Sequence, residues 1–345
     1  MGKKKTNLIK YMDGTTGYSD IIYTDNKCSD GTFYKQECLK KILETEINII
    51  RVVLKKNKNK NWLNQNYLHM DITTSCGICE YPEGNSYNGS PFIFLDLVDK
   101  YRSLNFKVIF MEKNKGRFNG LWENMFERYT SCGFGSCWPK NVNLDEFNVV
   151  RLDYQEDLLP YIEYLRREKY LEENKKQFGT LYVDPYGTLY PNALIELSNE
   201  SEYKTLDFIF HINGSIKRPK GLNKYNVKEK RTYREMIKQI KKDKWIIREP
   251  YVKGQYTFLI GTNFKEYPAF KKLGFHCIES NRGQEILDRI DLNDIDGEFE
   301  DKYHKKFIYN NKWIESINKG KDRKEDKKII FSKGVDRLIK ELKEK

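Results

Sequence analysis

The chain has 345 residues, with 24 tyrosines and 19 phenylalanines, which predicts a folded protein of one large domain or two. Its 62 lysines and arginines outnumber its 50 aspartates and glutamates, for a formal net charge of +12. We expect no membrane segment, because no apolar run approaches the roughly 18 residues that span a bilayer. Seven cysteines, an odd number, and an N-terminus without an apolar signal core favour reduced thiols in the cytoplasm.

In chain order, the sequence predicts an irregular segment, a helix, and then alternating strands and helices. Apolar residues at helical spacing predict the first helix over about residues 33–56. Strands are predicted to end at residues 71, 112, 153 and 184, with another strand at 206–212. The helices between them are predicted at 92–104, 121–129, 156–175 and 190–198. A helix at 228–242, strands at 244–248 and 257–261 and a helix at 283–290 follow.

Four of these strands end in an acidic residue, namely Asp71, Glu112, Asp153 and Asp184. Strand–helix alternation of this kind predicts an α/β fold with a doubly wound, mostly parallel sheet of the Rossmann-like type. The carboxyl ends of parallel strands lie at one edge of a sheet, so all four acids should face one crevice. Each acid also has a simpler explanation, because an acid after a strand is often the N-cap of the next helix.

On this basis the chain divides into five regions. The boundaries are 1–32 for the irregular N-terminal segment, 33–61 for a helix packed on the core, 62–213 for the Rossmann-like core, 214–301 for a basic insertion with the remaining core strands, and 302–345 for a charged, helical tail.

The run Asp184, Pro185, Tyr186 and Gly187 resembles the signature of methyltransferases that act on exocyclic amines. A carboxylate and a proline carbonyl can accept the two amine hydrogens, which leaves the nitrogen lone pair directed toward a methyl group. The tyrosine would stack on the base, and the glycine allows a tight turn around it. The resemblance implies that these four residues are catalytic, that S-adenosylmethionine is the cofactor, and that a duplex base is flipped out.

Five further residues are predicted to bind the cofactor. Glu112 ends the second strand, where doubly wound folds hold ribose hydroxyls, and Asn114 follows it. Asp71 would orient the methionine part and Asp153 would approach the adenine amine. Gly77 is the one glycine in the run that directly follows Asp71. We expect no metal, because one cysteine pair follows a strand and the other a helix, at opposite edges of the sheet.

The positive charge is concentrated in two segments. Residues 214–250 carry 13 basic against 4 acidic residues, residues 302–345 carry 15 against 7, and the rest of the chain has a net charge of −5. A coding bias toward lysine is the simpler explanation, and a nucleic acid held beside the crevice is the functional one. On the second explanation, the residues that contact phosphates of DNA or RNA are Lys217, Arg218, Lys220 and Lys224.

Over about residues 30–265 the chain is similar to the three-Cys-motif partner proteins, a bacterial and phage-associated family with a methyltransferase-like fold. The similarity lies in residues 35–43, the strand to 71, Gly-Ser-Pro at 89–91, residues 111–114, Asp-Pro-Tyr-Gly at 184–187 and residues 212–218. It implies the fold more directly than the reaction.

Two hypotheses follow. The first is an S-adenosylmethionine-dependent amino-methyltransferase that acts on a nucleic-acid base. The alternative is a catalytically degenerate methyltransferase-fold protein that binds nucleic acid as the partner of a second protein subunit in phage or mobile-element defence. Room for the methionine part around Gly77 favours the enzyme, whereas filling of that place by Cys76 or Tyr81 favours the binding protein.

Overall fold

The computed structural model of the protein describes residues 8–10, 16–18, 31–80, 86–130, 139–185, 189–213, 232–250 and 256–292. The strands are β1 Leu8–Lys10, β2 Thr16–Tyr18, β3 Leu63–Asp71, β4 Ile78–Glu80, β5 Ser86–Asn88, β6 Phe106–Met111, β7 Val142–Val150, β8 Lys176–Val183, β9 Leu206–Asn213, β10 Lys244–Arg248, β11 Tyr256–Thr262 and β12 Phe275–Cys277. The helices are α1 Gly31–Lys56, α2 Ser90–Val98, α3 Lys115–Thr130, α4 Tyr154–Arg167, α5 Asn192–Asn199, α6 Tyr233–Gln239, α7 Pro268–Lys271 and α8 Asn281–Leu292.

Eight of the described strands form one sheet in the order β12-β10-β11-β9-β8-β3-β6-β7. From β9 to β7 neighbouring strands are parallel, whereas β11 is antiparallel to β9 and β10, and β12 is antiparallel to β10. Numbered along the chain, the parallel strands follow the order 5-4-1-2-3 of a doubly wound Rossmann-like sheet. The predicted fold class is confirmed. The strand order reverses between β3 and β8, which is where such sheets bind ligands.

Helices cover both faces of this sheet. The apolar side chains of α1, α2 and α3 pack against one face, and those of α4, α5, α6 and α8 pack against the other. The predicted stripe of α1 is buried, and each member is at most 3% exposed: Leu39, Ile42, Leu43, Ile47, Ile50 and Leu54. Burial of a leucine or isoleucine side chain contributes about 1.5–3 kcal/mol, so packing fixes the position of α1.

Four predicted helices differ from the structure by three or more residues at an end. Helix α2 ends at Val98 rather than at residue 104, and helix α6 begins at Tyr233 and ends at Gln239 rather than at 228 and 242. Helix α4 ends at Arg167 rather than at residue 175, because Lys169 adopts a left-handed conformation with φ of 59° and the chain then turns into β8. Helix α3 begins at Lys115 rather than at 121. The segment predicted to be irregular, 1–32, contains the antiparallel pair β1 and β2, and the predicted tail at 302–345 lies outside the described residues.

Two carboxyl groups are buried together between α1 and the sheet. Glu46 of α1 and Asp207 of β9 are 0% and 1% exposed. Burial raises the pKa of Asp207 to about 6, although the neighbouring Glu46 and Thr262 side chains and the charge of Lys242 act in the opposite direction. Burial, followed by the proximity of Asp207, raises the pKa of Glu46 well above its usual range. The folded protein therefore holds protons here that an unfolded chain would release near pH 4.

We expect Asp207→Asn to weaken the pH dependence of stability. A carboxyl whose pKa rises on folding stabilises the folded state fully below its ordinary pKa near 4, and this contribution is lost as the pH rises through about 6. Between pH 4 and 7 the unfolding free energy should therefore fall further in the wild type than in the variant, by on the order of 2–3 kcal/mol. Urea denaturation across this range measures the difference, and the exposed Asp243 provides the control Asp243→Asn. Parallel curves for wild type and Asp207→Asn would contradict the prediction.

Candidate functional site

The four predicted acids lie at one edge of the sheet. Asp71 is the last residue of β3, Glu112 and Asp184 directly follow β6 and β8, and Asp153 comes shortly after β7. The order β7-β6-β3-β8 makes these strands parallel neighbours, so their carboxyl ends share an edge. The predicted placement of the acids is confirmed, with Asp71 and Asp184 on adjacent strands at the reversal of strand order.

The segment after β3 crosses from one of these acids to another. The backbone N–H of Asp184 donates to Thr73 Oγ1 at 2.7 Å. Two residues further on, the backbone N–H of Ser75 donates to Glu112 Oε2 at 2.9 Å. The other oxygen of Glu112 accepts from the backbone N–H of Asn114 at 2.7 Å. These contacts fix the Glu112 carboxylate at the end of β6 and bind the first loop to both neighbouring strands.

Asp71 is the most deeply buried of the four acids. Its Oδ1 accepts from the Thr73 N–H at 3.1 Å. Its Oδ2 is buried and has no well-formed hydrogen bond in the part of the chain that the structure describes. Burial raises the pKa of Asp71 to about 7, the Ser90 hydroxyl and the Thr73 amide oppose the rise, and the charges of Asp184 and Glu112 add to it. The arrangement favours a cationic or hydrogen-donating group at Asp71.

The Asp184 carboxylate is held by two side chains that the sequence did not indicate. His211 Nδ1 lies 2.8 Å from Asp184 Oδ1, and Lys35 Nζ lies 3.0 Å from Asp184 Oδ2. One signal was available for His211, because β9 follows β8 in a doubly wound sheet and ends at the same edge. No sequence signal indicated which residue of α1 would reach the site. Pro185 is buried, and Tyr186 and Gly187 lie outside the described residues.

Two of the predicted cofactor residues cap helices. Asp153 is the N-cap of α4, and its Oδ1 accepts from the backbone N–H of Gln155 at 3.1 Å. Its Oδ2 lies 3.5 Å from the ammonium group of Lys113. The side-chain oxygen of Asn114 accepts from the backbone N–H of Arg117 at 3.0 Å, at the start of α3. These contacts give both residues a structural role as helix caps at this edge of the sheet.

The loop around Gly77 is packed against the protein. Gly77 has φ of 77°, and a Cβ there would lie 2.6 Å from the Phe92 ring and 2.9 Å from Leu121. Cys76 is 2% exposed, and its carbonyl accepts from Asn124 Nδ2 at 2.8 Å. A side chain at position 77 therefore does not fit, and the loop lies close to α2 and α3. Tyr81 lies outside the described residues.

The predicted phosphate-binding residues, Lys217, Arg218, Lys220 and Lys224, lie outside the described residues. Strand β9, which precedes them, is parallel to β8 and ends at Asn213, at the edge that carries Asp184.

Within the described ranges, no three His, Cys, Asp or Glu side chains are grouped as a metal site requires. None of the helices that the structure describes is long and apolar enough to cross a membrane.

No family model and no curated protein matches the sequence. Among solved structures, protein LPL1258 from Legionella pneumophila is 13% identical, with 72% of this chain and 92% of that chain covered and a TM-score of 0.37. The METTL16 methyltransferase domain is 11% identical, with 70% and 88% covered and a TM-score of 0.32. The human methyltransferase 10 domain containing protein is 11% identical, with 64% and 82% covered and a TM-score of 0.29. These values are too low to support an inference, so the fold class rests on the strand order.

Proposed function

We propose that the protein is an S-adenosylmethionine-dependent methyltransferase that acts on an exocyclic amine of a nucleic-acid base. The observation that carries the proposal is the set of carboxylates at the reversal of strand order, two of them buried and the third 13% exposed. Asp71, Glu112 and Asp184 end three adjacent strands, and backbone or side-chain contacts orient each of them. Such an edge suits a nucleoside-containing cofactor on one side and a hydrogen-donating amine on the other.

The residues at this edge fit the cofactor. Glu112 follows β6, where doubly wound folds hold ribose hydroxyls, and the amides of Ser75 and Asn114 orient its carboxylate, so ribose hydroxyls would bind there. The buried Oδ2 of Asp71 suits the cationic methionine part. S-adenosylmethionine, when bound, supplies an electrophilic methyl group. Asp153, at the rim, would approach the adenine amine.

Asp184 and Pro185 would hold the target. The carboxylate of Asp184 and the carbonyl of Pro185 accept hydrogens of the amine, which orients its lone pair. Tyr186 would stack on the base, as aromatic side chains do with bases taken out of a strand. Gly187 would allow the chain to turn closely around the base.

We expect the basic segment to bind phosphates without reading sequence. Replacing Lys217, Arg218, Lys220 and Lys224 by alanine should weaken binding to all sequences alike. For duplex DNA the slope of log affinity against log salt should become shallower by roughly three to four, because each lost phosphate contact removes about 0.9. Fluorescence anisotropy across a salt series measures both effects.

The control replaces four lysines of the tail, Lys324, Lys327, Lys328 and Lys333. If the positive charge reflects coding bias alone, both quadruple variants should show the same small loss. Equal losses would therefore contradict a binding surface at residues 217–224.

The decisive test of the proposed function is calorimetry with S-adenosylmethionine, followed by transfer of a labelled methyl group to DNA and RNA oligonucleotides. Saturable binding and base-specific labelling are the expected results. If the wild type does not bind the cofactor, the protein is not an S-adenosylmethionine-dependent methyltransferase.

One observation favours a second candidate, a nucleic-acid-binding partner subunit with a degenerate methyltransferase fold. Cys76 is buried, Gly77 is packed against Phe92, and the Ser75 amide occupies one oxygen of Glu112. A first loop that closes onto the protein in this way suits a crevice that no longer admits the cofactor. This candidate would act in phage or mobile-element defence, as the resemblance to three-Cys-motif partner proteins implies. If the protein binds nucleic acid but not S-adenosylmethionine, that result would support it.

A further inference from the structure

Two elements, β9 and α1, each bring a polar side chain to the Asp184 carboxylate. His211 comes from β9 and Lys35 from α1, and both meet the carboxylate that follows β8. The side chains of His211, Asp184 and Lys35 are 4%, 13% and 23% exposed. Hydrogen bonds to an ionised group are stronger than neutral ones, and low exposure strengthens them further. The contacts therefore fix the carboxylate in one orientation.

The His211 ring is itself held in place. The Tyr256 ring stacks on it with centroids 5.8 Å apart and planes 11° apart, and the Phe258 ring lies 5.2 Å away. Both aromatic residues belong to β11, in which Phe258 pairs directly with His211. On the other side, β9 pairs with β8. The imidazole is thus held by Asp184, which follows β8, and by the Tyr256 and Phe258 rings of β11, and these contacts restrict its rotation.

The orientation of a carboxylate matters for methyl transfer to an amine. The last torsion of an aspartate is broad and roughly two-fold, so the carboxylate plane is not set by the rotamer alone. A carboxylate that holds an amine must keep its acceptor directions aligned with the nitrogen hydrogens. A misplacement of about 1 Å in such a contact costs on the order of 100-fold in rate.

We propose that His211 is a positioning residue for the methyl transfer, which donates from Nδ1 to Asp184 and so fixes the carboxylate plane that receives the target amine. This inference rests on the proposed function. In the reaction the amine nitrogen bonds to the methyl carbon, the carbon–sulfur bond breaks with its electron pair left on sulfur, and one amine proton passes through Asp184 to solvent. His211 keeps its Nδ1 proton throughout.

Two substitutions at position 211 distinguish a positioning role of the histidine from a role in packing alone. In His211→Asn the side-chain amide places an N–H close to the position of Nδ1, whereas His211→Phe keeps a stacked ring without a donor. We expect His211→Phe to lower kcat by about 10- to 100-fold with little change in KM for either substrate, and His211→Asn to recover most of that loss. The matched control is His276 of β12, at the far end of the sheet, whose Nε2 lies 3.2 Å from Glu249 Oε1. His276→Phe should leave kcat unchanged.

A second readout does not depend on activity. Nitrogen NMR of histidine-labelled protein, with the His211 signal assigned by its absence in His211→Phe, should show the proton on Nδ1 in the wild type. In Asp184→Asn the preference for this tautomer should weaken. An Nδ1 without a proton in the wild type, or equal kcat values for the Phe and Asn variants, would overturn the inference. Absence of methyl transfer by the wild type, with the Nδ1 proton present, would instead overturn the proposed function.

Discussion

Replacement of Glu112 by alanine is expected to lower the affinity for S-adenosylmethionine by about thirty- to a thousand-fold. On the proposed function, the variant would lose two charge-assisted hydrogen bonds to the ribose, which together would contribute on the order of 2–4 kcal/mol. It also releases the amides of Ser75 and Asn114, which the carboxylate holds at 2.9 and 2.7 Å. Isothermal calorimetry measures the affinity, and circular dichroism verifies that the variant is folded.

Two further variants make this test specific. Glu112→Gln keeps the size and one carbonyl acceptor, so its loss should lie between wild type and alanine. Glu163→Ala removes an exposed acid on α4 and should leave the affinity unchanged. If Glu112→Ala binds as tightly as the wild type, the ribose is held elsewhere.

Replacement of Gly179 by alanine is expected to destabilise the protein by about 3–5 kcal/mol. Gly179 lies in β8 with φ of 150°, and a Cβ there would stand 1.8 Å from the carbonyl oxygen and 2.6 Å from the carbonyl carbon of Leu68. Leu68 belongs to β3, which is held between β6 and β8, so its backbone has no room to withdraw. Urea denaturation measures the loss.

Gly274 provides the control, because its φ is 82° but a Cβ there would meet nothing within 4 Å. Gly274→Ala tests backbone conformation alone and should cost about 1–2 kcal/mol. Similar losses in the two variants would show that the close contact with Leu68 is not the cause.

The sequence predicted the elements that depend on short-range pattern. The apolar stripe of α1 has helical spacing, and its members are buried. The acids at 71, 112 and 184 follow apolar strands, and the strand–helix alternation brings them to one edge. The end of α4 was not predictable in this way, because residues 168–175 continue the charged composition of the helix and only the left-handed turn at Lys169 shows where it stops.

The site was harder to predict than the fold, for two physical reasons. Helix capping and ligand binding both use an exposed carboxylate or amide after a strand, so Asp153 and Asn114 have the same sequence signal in either role. The partners of Asp184 depend on tertiary packing. Lys35 lies far from it in sequence, and the polar face of α1 does not indicate which of its residues reaches the carboxylate. Only the assembled sheet brings His211 beside the carboxylate.

The short segment from Thr73 to Ser75 has a consequence for how two ligands would influence each other. The Thr73 hydroxyl oxygen accepts a hydrogen bond from the backbone N–H of Asp184, and the backbone N–H of Ser75 donates to the Glu112 carboxylate. A cofactor that displaces the Ser75 amide from Glu112 would also shift Thr73, two residues earlier. The Thr73 hydroxyl accepts from the backbone N–H of Asp184, where the amine would bind. The two ligands are then thermodynamically linked through three residues, and each would change the affinity of the other by the same factor.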